Sequence, residues 1–93
     1  LEIDTAALDD LLLAGNVAII DVREVHETPV LKRWEHQRIP LGTFMQNEID
    51  FSSEHIVFIC QSGKRSITAA NWAKEKYKDR KFYSLKGGVL GQL

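Results

Sequence analysis

Cysteine occurs once in this chain, at position 60. A single thiol closes no internal disulfide, so the fold must stand on burial and hydrogen bonding alone. Charge of neither sign prevails: 12 Lys and Arg meet 13 Asp and Glu, for a net charge of −1 and a pI near 6.3. Without a positive field over the whole domain, nucleic acid is not expected as a partner. No apolar run approaches the roughly 20 residues of a membrane-spanning helix, and no signal peptide is visible, so no membrane association is expected. Histidine is scarce, and His26, His36 and His55 stand at no metal-ligand spacing with Cys60, so neither metal nor organic cofactor is expected. Linkers, repeats and low-complexity stretches are also missing. What remains is one domain, residues 1–93, with enough apolar content (44%) for a single core. The first residue is Leu1 rather than methionine, which fits a domain excised from a longer protein. A thiol used as a nucleophile must stay reduced, so a cytoplasmic setting is expected.

The apolar residues alternate between helical and strand patterns, the order expected of an α/β fold with a mostly parallel sheet flanked by helices. Ile3 suggests a short first strand. Asp4 or Thr5 caps a helix with Leu8, Leu11 and Leu12 on one face, and Gly15 supplies a left-handed end. Val17 to Ile20 read as a buried strand, followed by a helical turn near Glu24 to Glu27. A loop carrying Lys32, Arg33, Trp34, His36 and Arg38 comes next, then a short helix from Thr43 to Ile49 with Phe44 and Ile49 inward. Ile56 to Ile59 form the central strand. Ser66 is positioned to cap a helix running to Tyr77, with Ile67, Ala70, Ala73 and Tyr77 as its inner stripe. Phe82 to Leu85 form the last strand, Lys86-Gly87-Gly88 a tight turn, and Val89 to Leu93 a final apolar piece.

The stretch with chemical potential is Cys60-Gln61-Ser62-Gly63-Lys64-Arg65-Ser66, between the central strand and the helix that follows. Ligands in open α/β sheets bind beyond the carboxyl ends of the strands. There, loop amides and a helix N-terminus favour an anion, and Gly63 permits a positive φ. With Lys64 and Arg65 adding formal charge, such a setting lowers a cysteine pKa from about 8.5 to roughly 3.5–7.5. Cys60 is therefore the candidate nucleophile, against the plainer reading of a small buried hydrophobe. Tyrosine-phosphatase-like loops carry arginine six places after the cysteine. Here the sixth place is Ser66 and arginine comes one residue earlier, a tighter cradle suited to a sulfur atom carried on the cysteine.

Four stretches in register resemble the rhodanese-like family: Ile20-Asp21-Val22-Arg23-Glu24, Ile39-Pro40-Leu41-Gly42, the Cys60 to Ser66 loop, and Tyr83-Ser84-Leu85-Lys86-Gly87-Gly88-Val89. Their combination is most similar to the C-terminal rhodanese domain of the adenylyltransferase/sulfurtransferases of molybdopterin and thiamine biosynthesis. The resemblance implies a rhodanese-type sulfurtransferase, with Cys60 catalytic and carrying a persulfide. Gln61, Ser62, Gly63, Lys64, Arg65 and Ser66 then form the persulfide-binding loop, with Asp21 and Arg23 in support. It also implies a sulfur donor, thiosulfate or a cysteine-desulfurase persulfide, and a small ubiquitin-like sulfur-carrier protein as acceptor. Lys32, Arg33, Arg38 and Trp34 would dock an acidic carrier tail, or form a solvated basic loop around one packed tryptophan. Gln61 stands where many relatives have arginine, which predicts weak activity toward free thiosulfate. The alternatives are a stand-alone thiosulfate:cyanide sulfurtransferase, a non-catalytic rhodanese binding module, and a cysteine-dependent phosphatase.

Overall fold

The computed structural model describes residues 1–49 and 51–92. Five parallel strands form one sheet in the order β1-β5-β4-β2-β3. They are β1 (Glu2–Ile3), β2 (Val17–Asp21), β3 (Gln37–Arg38), β4 (His55–Ile59) and β5 (Lys81–Leu85). Helices α1 (Thr5–Ala14), α2 (Leu41–Gln46) and α3 (Lys64–Lys76) connect them, and a 3₁₀ turn, Leu90–Gln92, follows β5. This is the α/β architecture expected from the alternating pattern.

β4 occupies the centre because its residues are apolar on both faces. Ile56 and Phe58 pack with Ile20, Val22, Phe44, Phe82 and the alanines of α3, while Val57 and Ile59 pack with Leu8, Ile19, Leu31, Trp34 and Leu85. A strand buried on both sides is a continuous hydrophobic run, as β4 is. The first layer is dense with rings: Phe44 sits 5.1 Å from Phe58 and 5.2 Å from Trp72, centroid to centroid. Cys60, immediately after β4, belongs to that same layer.

Helix boundaries and faces differ from the expectations in three places. Asp4 caps α1 by accepting from the Ala7 amide at 2.9 Å, and Leu8 is fully buried, but Leu12 is 36% exposed at the edge of the face. α2 begins two residues before the expected Thr43, because Pro40 supplies an extended lead-in, and it ends at Gln46. α3 starts at Lys64 with Gly63 as its N-cap, so Ser66 is inside the first turn instead of capping it. That shift turns Ser66, Ala69, Ala70 and Ala73 toward the sheet and leaves Ile67 36% exposed. Small residues at i, i+3, i+4 and i+7 let the helix sit close to β4 and β5.

The two-residue strand β3 falls within the stretch expected to be a loop, and it pairs only Gln37 and Arg38 with Ile20 and Asp21. Val89 is buried as expected of the final apolar piece, and Leu93 at its end lies outside the described residues. Among the described residues, no helix is long and apolar enough to cross a membrane.

Topology selects the place for a site. From β2 the chain passes outward to β3, whereas from β4 it passes the other way to β5, and β2 and β4 are neighbours. Connections that leave adjacent strands in opposite directions open a crevice at the strands' carboxyl ends. Asp21 to Arg23 and Cys60 to Ser66 flank that crevice.

Candidate active site

Four backbone contacts hold the loop after Cys60 from behind. The Val89 amide donates to the Cys60 carbonyl at 2.9 Å, and the Leu90 amide donates to the Gln61 carbonyl at 3.0 Å. Gly88, at φ +58°, lies so close that a Cβ there would stand 2.3 Å from the Cys60 oxygen and 2.7 Å from the Gln61 oxygen. Gly63 takes φ +106° beside Gly87 and Leu85, a conformation that a side chain would strain. With its carbonyls drawn toward the Gly87-Gly88 turn, the loop aims amides at the sulfur.

Cys60 itself is 1% exposed. The Gly63 amide donates to Sγ at 3.0 Å and the Ser66 amide at 3.3 Å, and the Ser66 Oγ lies 3.5 Å away. The first turn of α3, a 13-residue helix, therefore ends on the sulfur with its positive dipole pole. Burial pushes the thiol up, since it disfavours the charged form. Hydrogen bonds from the Ser66 hydroxyl and amide, and from the Gly63 and Ser62 amides, outweigh it and hold Cys60 below its ordinary value. The arrangement favours a thiolate and would favour any negative atom bonded to it.

The two cations of the loop do not approach the sulfur in the expected way. Arg65 makes a two-pronged ion pair with Glu27, at 2.6 and 2.7 Å, and Lys64 is exposed at the helix start. The Arg65 hydrogen bonds are the main reason that Glu27 falls to about 2; burial opposes them, and the Glu24 amide and nearby positive charge reinforce them. The Glu27 hydrogen bonds in turn raise Arg65 above its ordinary value; burial opposes them, and the charges of Glu27, Cys60 and Asp21 reinforce them. The pair ties the segment after β2 to the Cys60 loop.

Gln61 provides a second tie. Its Oε1 accepts from Arg23 at 2.8 Å and its Nε2 donates to the Thr28 carbonyl at 3.3 Å. Arg23 is fully buried and makes three side-chain hydrogen bonds to the equally buried Asp21, at 2.9 to 3.2 Å. Arg38 adds a contact to Asp21 at 3.1 Å and donates to the Glu24 carbonyl at 2.8 Å. Burial pushes Asp21 up, but the Arg23 hydrogen bonds and the charges of Arg23 and Arg38 bring it below its ordinary value. Asp21 and Arg23 thus brace the crevice from the β2 side without reaching the sulfur.

The four residues of the basic loop are divided: Lys32 and Arg33 are exposed, whereas Trp34 and Arg38 face inward. Arg38 is turned inward onto Asp21, Trp34 is buried with its Nε1 donating to Asp9, and Arg33 pairs with Asp9 at 2.8 Å while lying over the Trp34 ring. His55 lies at the other end of β4 from Cys60, its Nδ1 2.9 Å from the Tyr83 hydroxyl. Among the described residues, no cluster of three or more His, Cys, Asp or Glu is placed to hold a metal ion.

Three contributors escaped the sequence reading: Glu27 as partner of Arg65, Ser84 as partner of Ser66, and Gly88 as the backing of the loop. All three sit in or beside the stretches that carried the family resemblance. Pairing across about 20 to 40 residues leaves no local periodicity to betray it.

The family model described as "Rhodanese-like domain" matches residues 4–91. No curated protein matches the chain. Among solved structures, it is similar to a rhodanese homolog from Thermus thermophilus, with TM-score 0.79 and 24% identity over 97% of this chain and 98% of that one. The human single-domain sulfurtransferase gives TM-score 0.70 and 26% identity, over 88% and 87% of the two chains. An NAD-dependent persulfide reductase from A. fulgidus gives 0.67 and 27% over 95% of this chain, which spans only 15% of that protein.

Proposed function

The chain belongs to the rhodanese-like domain family, and on that premise we propose that it is a sulfurtransferase carrying sulfane sulfur as a persulfide on Cys60. The observation that carries the proposal is the convergence of the Gly63 and Ser66 amides on Sγ, at 3.0 and 3.3 Å, at the start of α3. Two of the similar structures are described as a sulfurtransferase and a persulfide reductase, which supports sulfur chemistry for the same architecture.

In the proposed first half-reaction, the Cys60 thiolate attacks the outer sulfur of a sulfane donor. With thiosulfate, a Cys60 S–S bond forms, the sulfur–sulfur bond of thiosulfate breaks, and sulfite leaves with the electron pair. The anionic persulfide places its outer sulfur about 2 Å beyond Sγ, so the reacting atom is no longer the buried one. Gln61, Ser62, Gly63, Lys64, Arg65 and Ser66 form the loop that holds it, the amides supplying hydrogen bonds and the helix pole supplying potential. Asp21 and Arg23 brace that loop through Gln61. With a nucleophilic acceptor such as cyanide or a thiol, the second half-reaction transfers the outer sulfur and the thiolate returns, a covalent division of one transfer into two. Cys60 is the sole cysteine, so the releasing thiol or other acceptor is external.

We extend the proposal to the acceptor. The motif combination of the chain favours the adenylated C-terminus of a small ubiquitin-like sulfur-carrier protein, as in the adenylyltransferase/sulfurtransferases of molybdopterin and thiamine biosynthesis; there the outer persulfide sulfur attacks the acyl carbonyl and AMP leaves. An external thiol then cleaves the resulting acyl disulfide, releasing the thiocarboxylate and leaving Cys60 in a mixed disulfide that a second external thiol reduces. The engagement of Gln61 by Arg23 and Thr28 leaves its amide committed to the fold, which supports weak use of free thiosulfate. Thiosulfate:cyanide sulfurtransfer by the parent and by Cys60→Ser tests the activity. Turnover abolished in Cys60→Ser is expected, and equal turnover in both overturns the proposal. Thiocarboxylate formation on an adenylated carrier, read by mass, tests the acceptor separately.

A further inference from the structure

The fully buried hydroxyl of Ser84, on β5, belongs to no step described so far. It lies 2.6 Å from the Ser66 Oγ, among the shortest side-chain contacts in the molecule, and 3.5 Å from the Gly63 carbonyl. Ser66 has one hydroxyl proton and three neighbours that could receive it: the Gly63 carbonyl at 3.1 Å, the Ser84 oxygen, and Cys60 Sγ at 3.5 Å. The Gly63 carbonyl is nearer than the sulfur and is the natural competitor.

When Cys60 carries its proton, the S–H can donate to Ser66, and Ser66 can donate to Gly63. When Cys60 is deprotonated, the useful arrangement is the reverse, with the Ser66 O–H turned to the sulfur. The Gly63 carbonyl then keeps the Ile67 amide, at 3.3 Å, as its partner. A hydroxyl that accepts a short hydrogen bond becomes a better donor, because chains of hydrogen bonds polarise one another in a low-dielectric interior. Ser84 is placed to make that donation, and if Ser84 donates to Ser66, the Ser66 proton must go elsewhere.

We infer that Ser84 is a positioning residue, which donates to Ser66 and so directs the Ser66 hydroxyl onto the deprotonated sulfur of Cys60. The inference rests on the role proposed for Cys60 but concerns only its thiolate. The charged groups around the sulfur are distinct from this chain. From the loop and α3 they are Lys64, exposed, and Arg65, balanced by Glu27; from the β2 side they are Asp21, Arg23 and Arg38, paired with one another. From β5 the group that reaches the cluster is the neutral hydroxyl of Ser84. Its replacement therefore changes no charge.

The experiment is a pH titration of thiolate ultraviolet absorbance, with Cys60→Ala as the blank; the single cysteine makes the signal unambiguous. Ser84→Ala is expected to move the midpoint upward by about 0.5 to 1 pH unit, a roughly three- to tenfold loss of thiolate below the midpoint. Ser84→Thr, which keeps the hydroxyl, is expected to retain the parent midpoint. Ser66→Ala combined with Ser84→Ala is expected to shift no further than Ser66→Ala alone, since Ser84 acts through Ser66. A Ser84→Ala midpoint equal to that of the parent overturns the inference, as does a double-variant shift equal to the sum of the single ones. Should Ser84→Ala fail to fold, Ser84→Val, which has the shape of Ser84→Thr without the hydroxyl, is compared with Ser84→Thr, and equal midpoints of those two overturn the inference. Sulfur loading of the parent is read separately by intact mass. Its absence would sink the sulfurtransferase reading while the titration still decides the role of Ser84.

Discussion

Substituting alanine for Gly88 puts the backing of the Cys60 loop under direct load. A Cβ at position 88 would lie 2.3 Å from the Cys60 oxygen, 2.7 Å from the Gln61 oxygen and 2.8 Å from the Gln61 carbonyl carbon. All three are backbone atoms, so no flexible side chain can swing aside. Ordinary contact begins at 3.4 Å, which requires the loop or the turn to retreat by about 1 Å. Two hydrogen bonds cross this gap, Val89 to Cys60 at 2.9 Å and Leu90 to Gln61 at 3.0 Å. Weakening each costs about 0.5–1.5 kcal/mol, and a left-handed φ costs an alanine about 1–2 kcal/mol. Together, Gly88→Ala should lose about 2–5 kcal/mol. At about 4–8 °C per kcal/mol for a domain of this size, Tm should fall by at least about 8 °C.

The informative comparison is Gly87→Ala. Gly87 also has a positive φ, +81°, but a Cβ there meets only the Gly91 Cα, at an ordinary 3.6 Å. It should show the backbone cost alone. Denaturant and thermal unfolding of both variants measure the difference, and the thiolate titration should show a raised Cys60 midpoint only in Gly88→Ala. If the two variants melt together and keep the parent's midpoint, the turn is not what aims the loop amides at the sulfur.

Two further outcomes follow from the ion pairs around the crevice. Glu27 is held at about 2 against an ordinary 4.5. Its lowered value means that the Arg65 pair adds stability above about pH 4.5 and loses it as pH falls toward about 2. Glu27→Gln should therefore flatten that part of the stability–pH curve, as measured by urea unfolding at stepped pH; an unchanged slope would contradict the pairing. Asp21→Asn leaves the buried Arg23 without its counter-charge and should cost about 3–5 kcal/mol, read as a lower urea midpoint at constant slope. A loss below about 1 kcal/mol would mean that the pair braces nothing.

The elements that could be read from local pattern were those whose pattern has one physical explanation. β4 is apolar at every position from Ile56 to Ile59, and so short a run, rich in β-branched residues, suits a strand buried on both faces. Leu8 followed from spacing in the same way, and of the two caps the sequence offered, Asp4 takes the place and Thr5 begins the helix. The inner face of α3 was displaced because Ser66 is a good capping residue, yet Gly63, with its positive φ, takes that place. β3 was illegible: two residues, Gln37 and Arg38, have no alternation, and their strand exists only through pairing with β2. At the site, Cys60 and its loop stood out because charge, glycine and strand end coincide in one short stretch. The roles within the loop did not, because Arg65 faces Glu27 and Ser66 faces Ser84, partners that only the folded sheet brings near.

The central claim is that Cys60 carries the transferred sulfur, and intact mass tests it most directly. The parent, Cys60→Ala and Cys60→Ser are treated with thiosulfate and, separately, with a small-molecule persulfide, then exposed to cyanide. The account predicts that the parent alone gains one sulfur, more fully from the persulfide, and returns to its original mass with cyanide. Equal gain by Cys60→Ala, or no gain by the parent from either donor, would contradict it.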